Sequence, residues 1–291
     1  MQRTTVETAT GPRSALIWDS AADAPWLHFA HATGMHAGLY ARLLAPLADR
    51  FRIVASDCRG HGHSPGGPVG AVVEWETLAA DLLAVIDAVA PAEPWLLAGH
   101  SMGGTVSLLA AVQQPARVDG LALIDLPFIP FVIARAAHGV DQPLPNPMAD
   151  QAVKRRADFP DIATARTAYA GRGVFRSWSD ADLDAYLADG LVPAPGGVTL
   201  ACAPAWEAAT FRGVSRRVES ALAAVECPFA LVAGEAGSTV PAAEFALFAA
   251  NSHCISAQRV PGTTHFVPLE RGDAVRAAIV AVSKAASQAL G

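Results

Sequence analysis

Two kinds of hydrophobic run alternate along most of this chain. Short, nearly continuous apolar runs are typical of strands buried on both faces, whereas longer stretches with apolar residues three and four positions apart predict amphipathic helices. The predicted strands are an opening hairpin within residues 5–19, then Pro25–Ala30, Phe51–Ser56, Trp95–Ala98, Val118–Ile124, Phe229–Ala233 and Cys254–Val260. The predicted helices are Leu39–Ala48, Leu78–Val89, Thr105–Gln113 and Asp273–Ala289. This alternation predicts an α/β fold with a mostly parallel, doubly wound sheet covered by helices on both faces.

The stretch from Pro127 to Ala221 departs from this alternation. It is rich in proline and charge, and its periodic runs have helical spacing; they are Ala149–Asp158, Ile162–Ala170 and Asp180–Ala188. We interpret the stretch as a helical cap inserted between two core strands, and the alternative is an ordinary long crossover connection. The predicted domains are a core of residues 1–126 and 222–291 and a cap of residues 127–221.

Composition narrows the class of protein. Hydrophobic residues make up 52% of the 291 positions and charged residues 16%, which is typical of a globular protein rather than a disordered chain. The net charge of −6 and the lack of any Lys or Arg block argue against a nucleic-acid partner. No apolar run reaches the roughly eighteen residues of a membrane span, and the first residues lack the apolar core of a signal peptide, so a cytoplasmic protein is expected. The four cysteines are widely spaced, as in a protein with reduced thiols and no zinc cluster.

One motif carries most of the chemical information. Gly99-His100-Ser101-Met102-Gly103 has the pattern G-x-S-x-G and lies between a predicted strand and a predicted helix. Small residues two positions before and after the serine allow a sharp strand-to-helix turn that pushes the hydroxyl into a site. The helix that follows directs its first amides to the same place, where they can stabilise a negative oxygen. Ser101 is therefore the predicted nucleophile.

A serine hydroxyl needs a base to take its proton and donors for the oxyanion that forms. We predict that His265 is the base, because it lies on the loop after the last predicted strand. The predicted oxyanion donors are the main-chain amides of Met102, directly after the serine, and Met35, in the loop after an early strand. If that loop turns one residue differently, the second donor is the amide of Thr33 or Gly34.

These segments together resemble the α/β-hydrolase fold superfamily. The resemblance rests on four segments in the usual order, HATGM (31–35), DCRGHGHS (57–64), GHSMGG (99–104) and GTTHFVP (262–268). It covers both flanks of the core, roughly residues 15–126 and 222–290, and does not extend to the cap. It implies a sheet of about eight strands, a nucleophilic serine with a histidine base, and a structural turn at residues 57–64 rather than a metal or phosphate site.

The acidic residue that should orient the histidine base is where this sequence departs from the family pattern. The resemblance places an aspartate after the next-to-last strand, but Gly237 stands at that position. Asp125 is the predicted acid, because it ends the strand after the nucleophile strand and can face the same histidine loop. Glu235 is the alternative, and a chain without an acid is the third interpretation. The acid matters because it holds the imidazole in one tautomer and stabilises the imidazolium.

The sequence thus predicts a serine hydrolase that cleaves an ester-like bond (carboxylic ester, lactone or thioester) of a small, partly apolar molecule through an acyl-enzyme. The same constellation is compatible with C–C bond or amide hydrolysis and with acyl transfer. A ligand-binding protein without hydrolytic activity is the alternative from a different class, favoured by Gly237. No cofactor or metal is expected. The predicted substrate contacts are His36, Phe128, Trp178, Trp206 and Phe266.

Overall fold

A central sheet organises the chain in this computed structural model, which describes residues 1–18, 20–137 and 144–289. The strands are β1 (Gln2–Val6), β2 (Arg13–Trp18), β3 (Trp26–Ala30), β4 (Arg52–Ser56), β5 (Trp95–His100), β6 (Val118–Ile124), β7 (Asp158–Phe159), β8 (Leu191–Ala194), β9 (Gly197–Leu200), β10 (Phe229–Gly234) and β11 (Cys254–Val260). The α-helices are α1 (Ala41–Leu44), α2 (Trp75–Val89), α3 (Met102–Gln113), α4 (Phe131–Ala136), α5 (Pro147–Ala152), α6 (Ile162–Tyr169), α7 (Asp180–Gly190), α8 (Pro204–Arg212), α9 (Val218–Ala224), α10 (Ala242–Ala250), α11 (Val267–Glu270) and α12 (Gly272–Ala289). Short 3-10 helices span Ala37–Tyr40, Ala45–Leu47, Pro115–Arg117 and Gly173–Ser177.

The central sheet has eight strands in the order β1-β2-β4-β3-β5-β6-β10-β11. Strands β1 and β2 form an antiparallel hairpin, β2 pairs antiparallel with β4, and the remaining pairs are parallel. The predicted α/β class and the mostly parallel sheet are therefore confirmed. Every residue of β5 and of β10 is buried, which explains why these strands read as continuous apolar runs.

Hydrophobic layers cover both faces of the sheet. Along β5, Trp95 and Leu97 pack into one layer with α2, α3 and α9, whereas Leu96 and Ala98 pack into the other with α1 and α12. The alternation follows from the two-residue period of a strand. Buried residues of α12 recur on one side of the helix, as the sequence pattern predicted; they are Val275, Ile279, Val282 and Ala286.

The segment between β6 and β10 is not purely helical. It contains α4 to α9, but β7, β9 and β8 also form a three-stranded antiparallel sheet that the sequence pattern did not predict. These strands are only two to four residues long, and β8 and β9 join through a glycine turn. They are too short to show a recognisable hydrophobic periodicity. Helix α5 begins earlier than predicted, because Asn146 caps its first amides. The domain boundaries at residues 126 and 222 stay a prediction.

The topology brings several loops to one edge of the central sheet. Strands β3, β5, β6, β10 and β11 run parallel, so the loops after their carboxyl ends lie together. Among the helices that the structure describes, none has the length and apolar character needed to span a membrane.

Candidate active site

Ser101 lies at a sharp turn between β5 and α3. Its backbone has φ 54° and ψ −126°, a positive-φ conformation that a residue with a side chain rarely adopts. The turn is fixed by a bond from the Ser101 amide to the Ile124 carbonyl (2.8 Å). Gly103 permits close packing, since a Cβ atom there would lie 2.1 Å from the Ala30 carbonyl oxygen. The G-x-S-x-G spacing thus serves a strained turn that presents the serine at the strand's carboxyl end.

Asp125 holds the ring of His265. The distance between His265 Nδ1 and Asp125 Oδ1 is 2.8 Å. The carboxylate is fully buried and also accepts main-chain N–H bonds from Gly234 to Oδ2 and from Thr239 to Oδ1, each 2.7 Å. Burial alone would raise the pKa of Asp125, but the hydrogen bond and charge of His265 and the two amides outweigh it and hold the pKa at about 2.

This bond also sets which tautomer the neutral His265 ring adopts. An ionised carboxylate only accepts, so Nδ1 carries the proton and Nε2 of the neutral ring is left as an acceptor. His265 and Ser101 line the same cavity. No direct hydrogen bond joins the Ser101 hydroxyl to the His265 ring in the part of the chain that the structure describes; such bonds are often long before a substrate binds.

Glu235 and Gly237 occupy the loop where the family pattern places the acid. Glu235 is exposed, and its carboxylate accepts a bond from the Gly262 amide (2.9 Å) instead of from His265. Gly237 has φ +62° and lines the cavity without a side chain. Of the two candidate acids, the geometry therefore favours Asp125. Thr239, which the sequence analysis missed, completes its environment; a threonine in a short loop carried no signal that could have identified it.

The loop after β3 does not use Met35 as predicted. The Met35 amide donates to the Ala32 carbonyl (3.0 Å), which closes a turn, and Met35 does not line the cavity. Thr33 does line it, one of the two neighbours that the sequence analysis left open. Met102 is the first residue of α3, so its amide has no acceptor within the helix. The amides of Thr33 and Met102 are thus the candidate oxyanion donors.

A cavity of about 1240 Å³ opens beside Ser101 and His265. Of the predicted substrate contacts, Phe128 and Phe266 line it. The remaining lining includes apolar residues of α2, α4 and the segment around α8, such as Trp75, Ile133 and Val214. The pocket therefore suits a molecule with a substantial apolar part.

Three predicted contacts have other roles. His36 is buried; its Nε2 donates to the Tyr186 carbonyl (2.8 Å), and its Nδ1 accepts from the Leu39 amide, capping a 3-10 helix. The Trp206 indole N–H donates to the Gly67 carbonyl (3.2 Å), away from the cavity. Trp178 packs edge-on against Phe266 with ring centroids 5.2 Å apart, so it supports the lining without forming it.

The cavity also has charged walls that the sequence analysis missed. They comprise Glu74 and Glu76 at the start of α2, Arg212 at the end of α8, and Arg216 and Arg217 between α8 and α9. Glu76 accepts a bond from the Ser215 hydroxyl (2.6 Å), which ties the two charged segments together. These residues lie far apart in the sequence and carry no motif, so only the fold reveals that they share a pocket. In the described ranges, no group of three or more His, Cys, Asp or Glu side chains is arranged to hold a metal ion.

A family model described as serine aminopeptidase, S33, matches residues 24–272, which is most of the chain. The chain belongs to this family. The α/β-hydrolase resemblance read from the four sequence segments is thereby confirmed, and the S33 match extends through the cap, where no motif was legible in the sequence.

Relatives of this S33-family chain are hydrolases. The chain is 28% identical over 246 residues to 2-(acetamidomethylene)succinate hydrolase from Mesorhizobium japonicum, a match that covers 84% of this chain and 82% of that protein. It is 35% identical over 111 residues to pimeloyl-acyl-carrier-protein methyl ester esterase from Methylococcus capsulatus, which covers 38% of this chain and 40% of the relative. The crystal structure of E-2-(acetamidomethylene)succinate hydrolase superposes with a TM-score of 0.80 and 24% identity over 98% of both chains, which shows a shared fold.

Proposed function

We propose that this chain is a serine hydrolase in which Ser101, His265 and Asp125 act as a catalytic triad. The observation that carries the proposal is the 2.8 Å bond between His265 Nδ1 and a buried carboxylate, with Ser101 on its strained turn lining the same cavity. That arrangement supplies an oriented base and a serine hydroxyl that line one cavity. Its position at the carboxyl ends of parallel strands is typical of active sites in such folds.

In the proposed reaction, His265 Nε2 takes the Ser101 hydroxyl proton while the serine oxygen attacks the carbonyl carbon of the substrate. The amides of Thr33 and Met102 stabilise the resulting oxyanion. Collapse breaks the bond to the leaving group, which receives the proton from His265 Nε2, and an acyl-enzyme remains. A water molecule then gives a proton to His265 Nε2 as its oxygen attacks the acyl carbon. Collapse breaks the bond to the serine oxygen, which takes that proton back from His265, and the acid is released. Asp125 stays ionised throughout and stabilises the imidazolium.

The proposed substrate is a small, partly apolar ester. The apolar walls around Phe128 and Phe266 support an acyl group or alcohol of moderate size. One relative is named as a methyl ester esterase, in agreement with this class.

A carboxylate-bearing amide or ester is the second candidate. Arg212 and Arg217 line the cavity, and guanidinium groups favour carboxylates. The relative that matches most of the chain is named for a succinate derivative with an acetamido group. Comparing kcat/KM for 4-nitrophenyl butyrate and 4-nitrophenyl hemisuccinate separates the two candidates, because only the second substrate carries a carboxylate. Preference for the hemisuccinate that disappears in Arg212→Ala, Arg217→Ala supports the second class.

Ester turnover with and without Ser101 tests the proposal. We expect 4-nitrophenyl acetate and butyrate to be hydrolysed by the wild type, and Ser101→Ala to lose at least about 10³-fold in kcat. A fluorophosphonate should label Ser101 covalently. Ser107→Ala is the matched control, since that buried serine donates to the Gly103 carbonyl of its own helix. Equal rates for wild type and Ser101→Ala would reject the catalytic role and favour a ligand-binding protein.

A further inference from the structure

His100, the residue before the nucleophile, is completely buried at the end of β5. Its Nε2 lies 2.8 Å from the main-chain carbonyl oxygen of His265, and its Nδ1 lies 2.8 Å from the Tyr40 hydroxyl. The Tyr40 hydroxyl in turn accepts a bond from the Ala32 amide (3.3 Å). A continuous chain of hydrogen bonds therefore joins the loop after β3, the nucleophile strand and the loop that carries His265.

The direction of every bond in this chain is fixed. A carbonyl oxygen only accepts, so His100 Nε2 donates to His265, and Nδ1 of the neutral ring accepts from the Tyr40 hydroxyl. The hydroxyl has one proton, and its oxygen receives the Ala32 amide. Burial, together with the nearby His265 ring, lowers the pKa of His100 to about 3, so the ring stays neutral across the ordinary pH range. One tautomer of His100 satisfies all three bonds, and the other places a lone pair against the His265 carbonyl.

We propose that His100 and Tyr40 are positioning residues that fix the base, the nucleophile and the oxyanion loop in position relative to one another. The inference rests on the proposed function, because it assigns roles to neighbours of the proposed catalytic groups. His100 directly precedes Ser101 in the sequence, and its side chain donates a hydrogen bond to the main-chain carbonyl of His265. The Tyr40 hydroxyl accepts a bond from the amide of Ala32, which precedes Thr33. Each of the three elements that must converge is thus anchored within one residue of its reacting group.

Among the described residues, Asp125 is the one hydrogen-bond partner of the His265 ring. Asp125 restrains its Nδ1, but rotation about that bond still moves Nε2 relative to Ser101. The bond from His100 restrains the backbone of the same residue, and the two rings lie 4.8 Å apart. One restraint thus acts on the His265 ring and the other on its main chain, and together they limit where Nε2 can lie. Because displacement of a reacting group by about 1 Å can cost about 10²-fold in rate, this second restraint bears on kcat.

Two amide substitutions at one position separate positioning from simple stabilisation of the fold. In His100→Gln the side-chain N–H₂ stands near the place of Nε2 and can still donate to the His265 carbonyl. In His100→Asn the side-chain oxygen stands near the place of Nδ1 and can accept from Tyr40, but no donor reaches His265. We expect His100→Asn to lose about 10²-fold in kcat and His100→Gln at most about tenfold, both with nearly unchanged KM for 4-nitrophenyl butyrate.

Tyr40→Phe provides a near-isosteric second variant. It leaves Nδ1 of His100 and the Ala32 amide without their partner, so we expect kcat to fall about tenfold while KM changes little. Tyr186→Phe is the matched control: this buried tyrosine of the cap accepts a bond from Arg155 (2.9 Å), lies outside the cavity lining, and should lose stability without losing kcat. The downfield ¹H NMR resonance of the proton between His265 and Asp125 should broaden in His100→Asn and remain sharp in Tyr186→Phe.

The possible results separate the positioning role from a structural one. A larger kcat loss in His100→Asn than in His100→Gln at equal Tm, together with the Tyr40→Phe loss, supports the positioning role. Equal kcat losses in the two His100 variants that follow their Tm losses, or wild-type kcat in Tyr40→Phe, would overturn it. Failure of the proposed function gives a different result, because the wild-type chain would then show no turnover that depends on Ser101.

Discussion

Replacing Asp125 by asparagine tests the proposed acid with an almost isosteric change. The Asp125 carboxylate accepts main-chain N–H bonds from Gly234 at Oδ2 and from Thr239 at Oδ1, and it holds His265 at Oδ1. An asparagine side chain must place its NH₂ group where one of these oxygens was. Either orientation sets a donor against a donor in a fully buried position.

The two orientations have different chemical consequences. With the NH₂ group at the Oδ2 place, it opposes the Gly234 amide, and His265 keeps its tautomer without a negative partner. With the NH₂ group at the Oδ1 place, His265 must accept at Nδ1, so its proton moves to Nε2 and the ring can no longer accept from Ser101. An unsatisfied buried donor costs about 1–3 kcal/mol of folding free energy. In the catalytic triad of a serine protease, replacing the aspartate by asparagine lowers the rate by about 10⁴.

We therefore expect Asp125→Asn to fold with a lower Tm and to lose about 10³- to 10⁴-fold in kcat/KM, equivalent to about 4–5.5 kcal/mol of transition-state stabilisation. The assay is hydrolysis of 4-nitrophenyl butyrate at pH 7, with urea unfolding of each variant. Glu235→Gln is the matched control, because Glu235 is exposed and its carboxylate bonds the Gly262 amide. Retention of activity in Asp125→Asn with collapse in Glu235→Gln would move the acid to Glu235; retention in both would refute the need for an acid.

Two further predictions concern stability. The pKa of Asp125 is lowered to about 2 in the folded chain, so the ionised carboxylate contributes about 2–3 kcal/mol to the free energy of unfolding. This contribution is complete above the unfolded pKa near 4 and is lost as pH falls towards 2. Urea unfolding over this range should show a smaller loss of stability in Asp125→Asn than in the wild type, and equal losses would contradict the lowered pKa of Asp125. Gly34→Ala should lower Tm more than Gly237→Ala: both have positive φ, worth about 1–2 kcal/mol, but only at residue 34 would the Cβ atom meet a side chain, 2.6 Å from Glu207 Oε1. Equal Tm losses in thermal unfolding would show that the contact with Glu207 does not matter.

The parts of the molecule that the sequence predicted are those with long or chemically specific patterns. The parallel strands β5, β6 and β10 are buried on both faces and read as apolar runs, and α12 repeats its buried residues at helical spacing. Ser101 was recognisable because the turn needs small residues at fixed offsets. These features depend on local sequence alone, so a single sequence is sufficient to predict them.

What the sequence could not provide depends on tertiary contacts. The choice between Met35 and Thr33 turns on one backbone hydrogen bond, from the Met35 amide to Ala32, which no side-chain pattern encodes. The aromatic residues of the cap were equally ambiguous, because Trp178 and Trp206 are as suitable for packing as for binding. The structure assigns them to packing against Phe266 and over Gly60, respectively.

The missing family aspartate at Gly237 has a structural counterpart in the neighbouring strand. Strands β6 and β10 are adjacent and parallel, so an acid at the end of either one approaches the same histidine loop. Here Asp125 stands at the end of β6, and its carboxylate is held by the amides of Gly234 and Thr239, which flank Gly237. The segment that carries the acid in the family pattern thus supplies hydrogen-bond donors to the proposed acid, which follows the neighbouring strand.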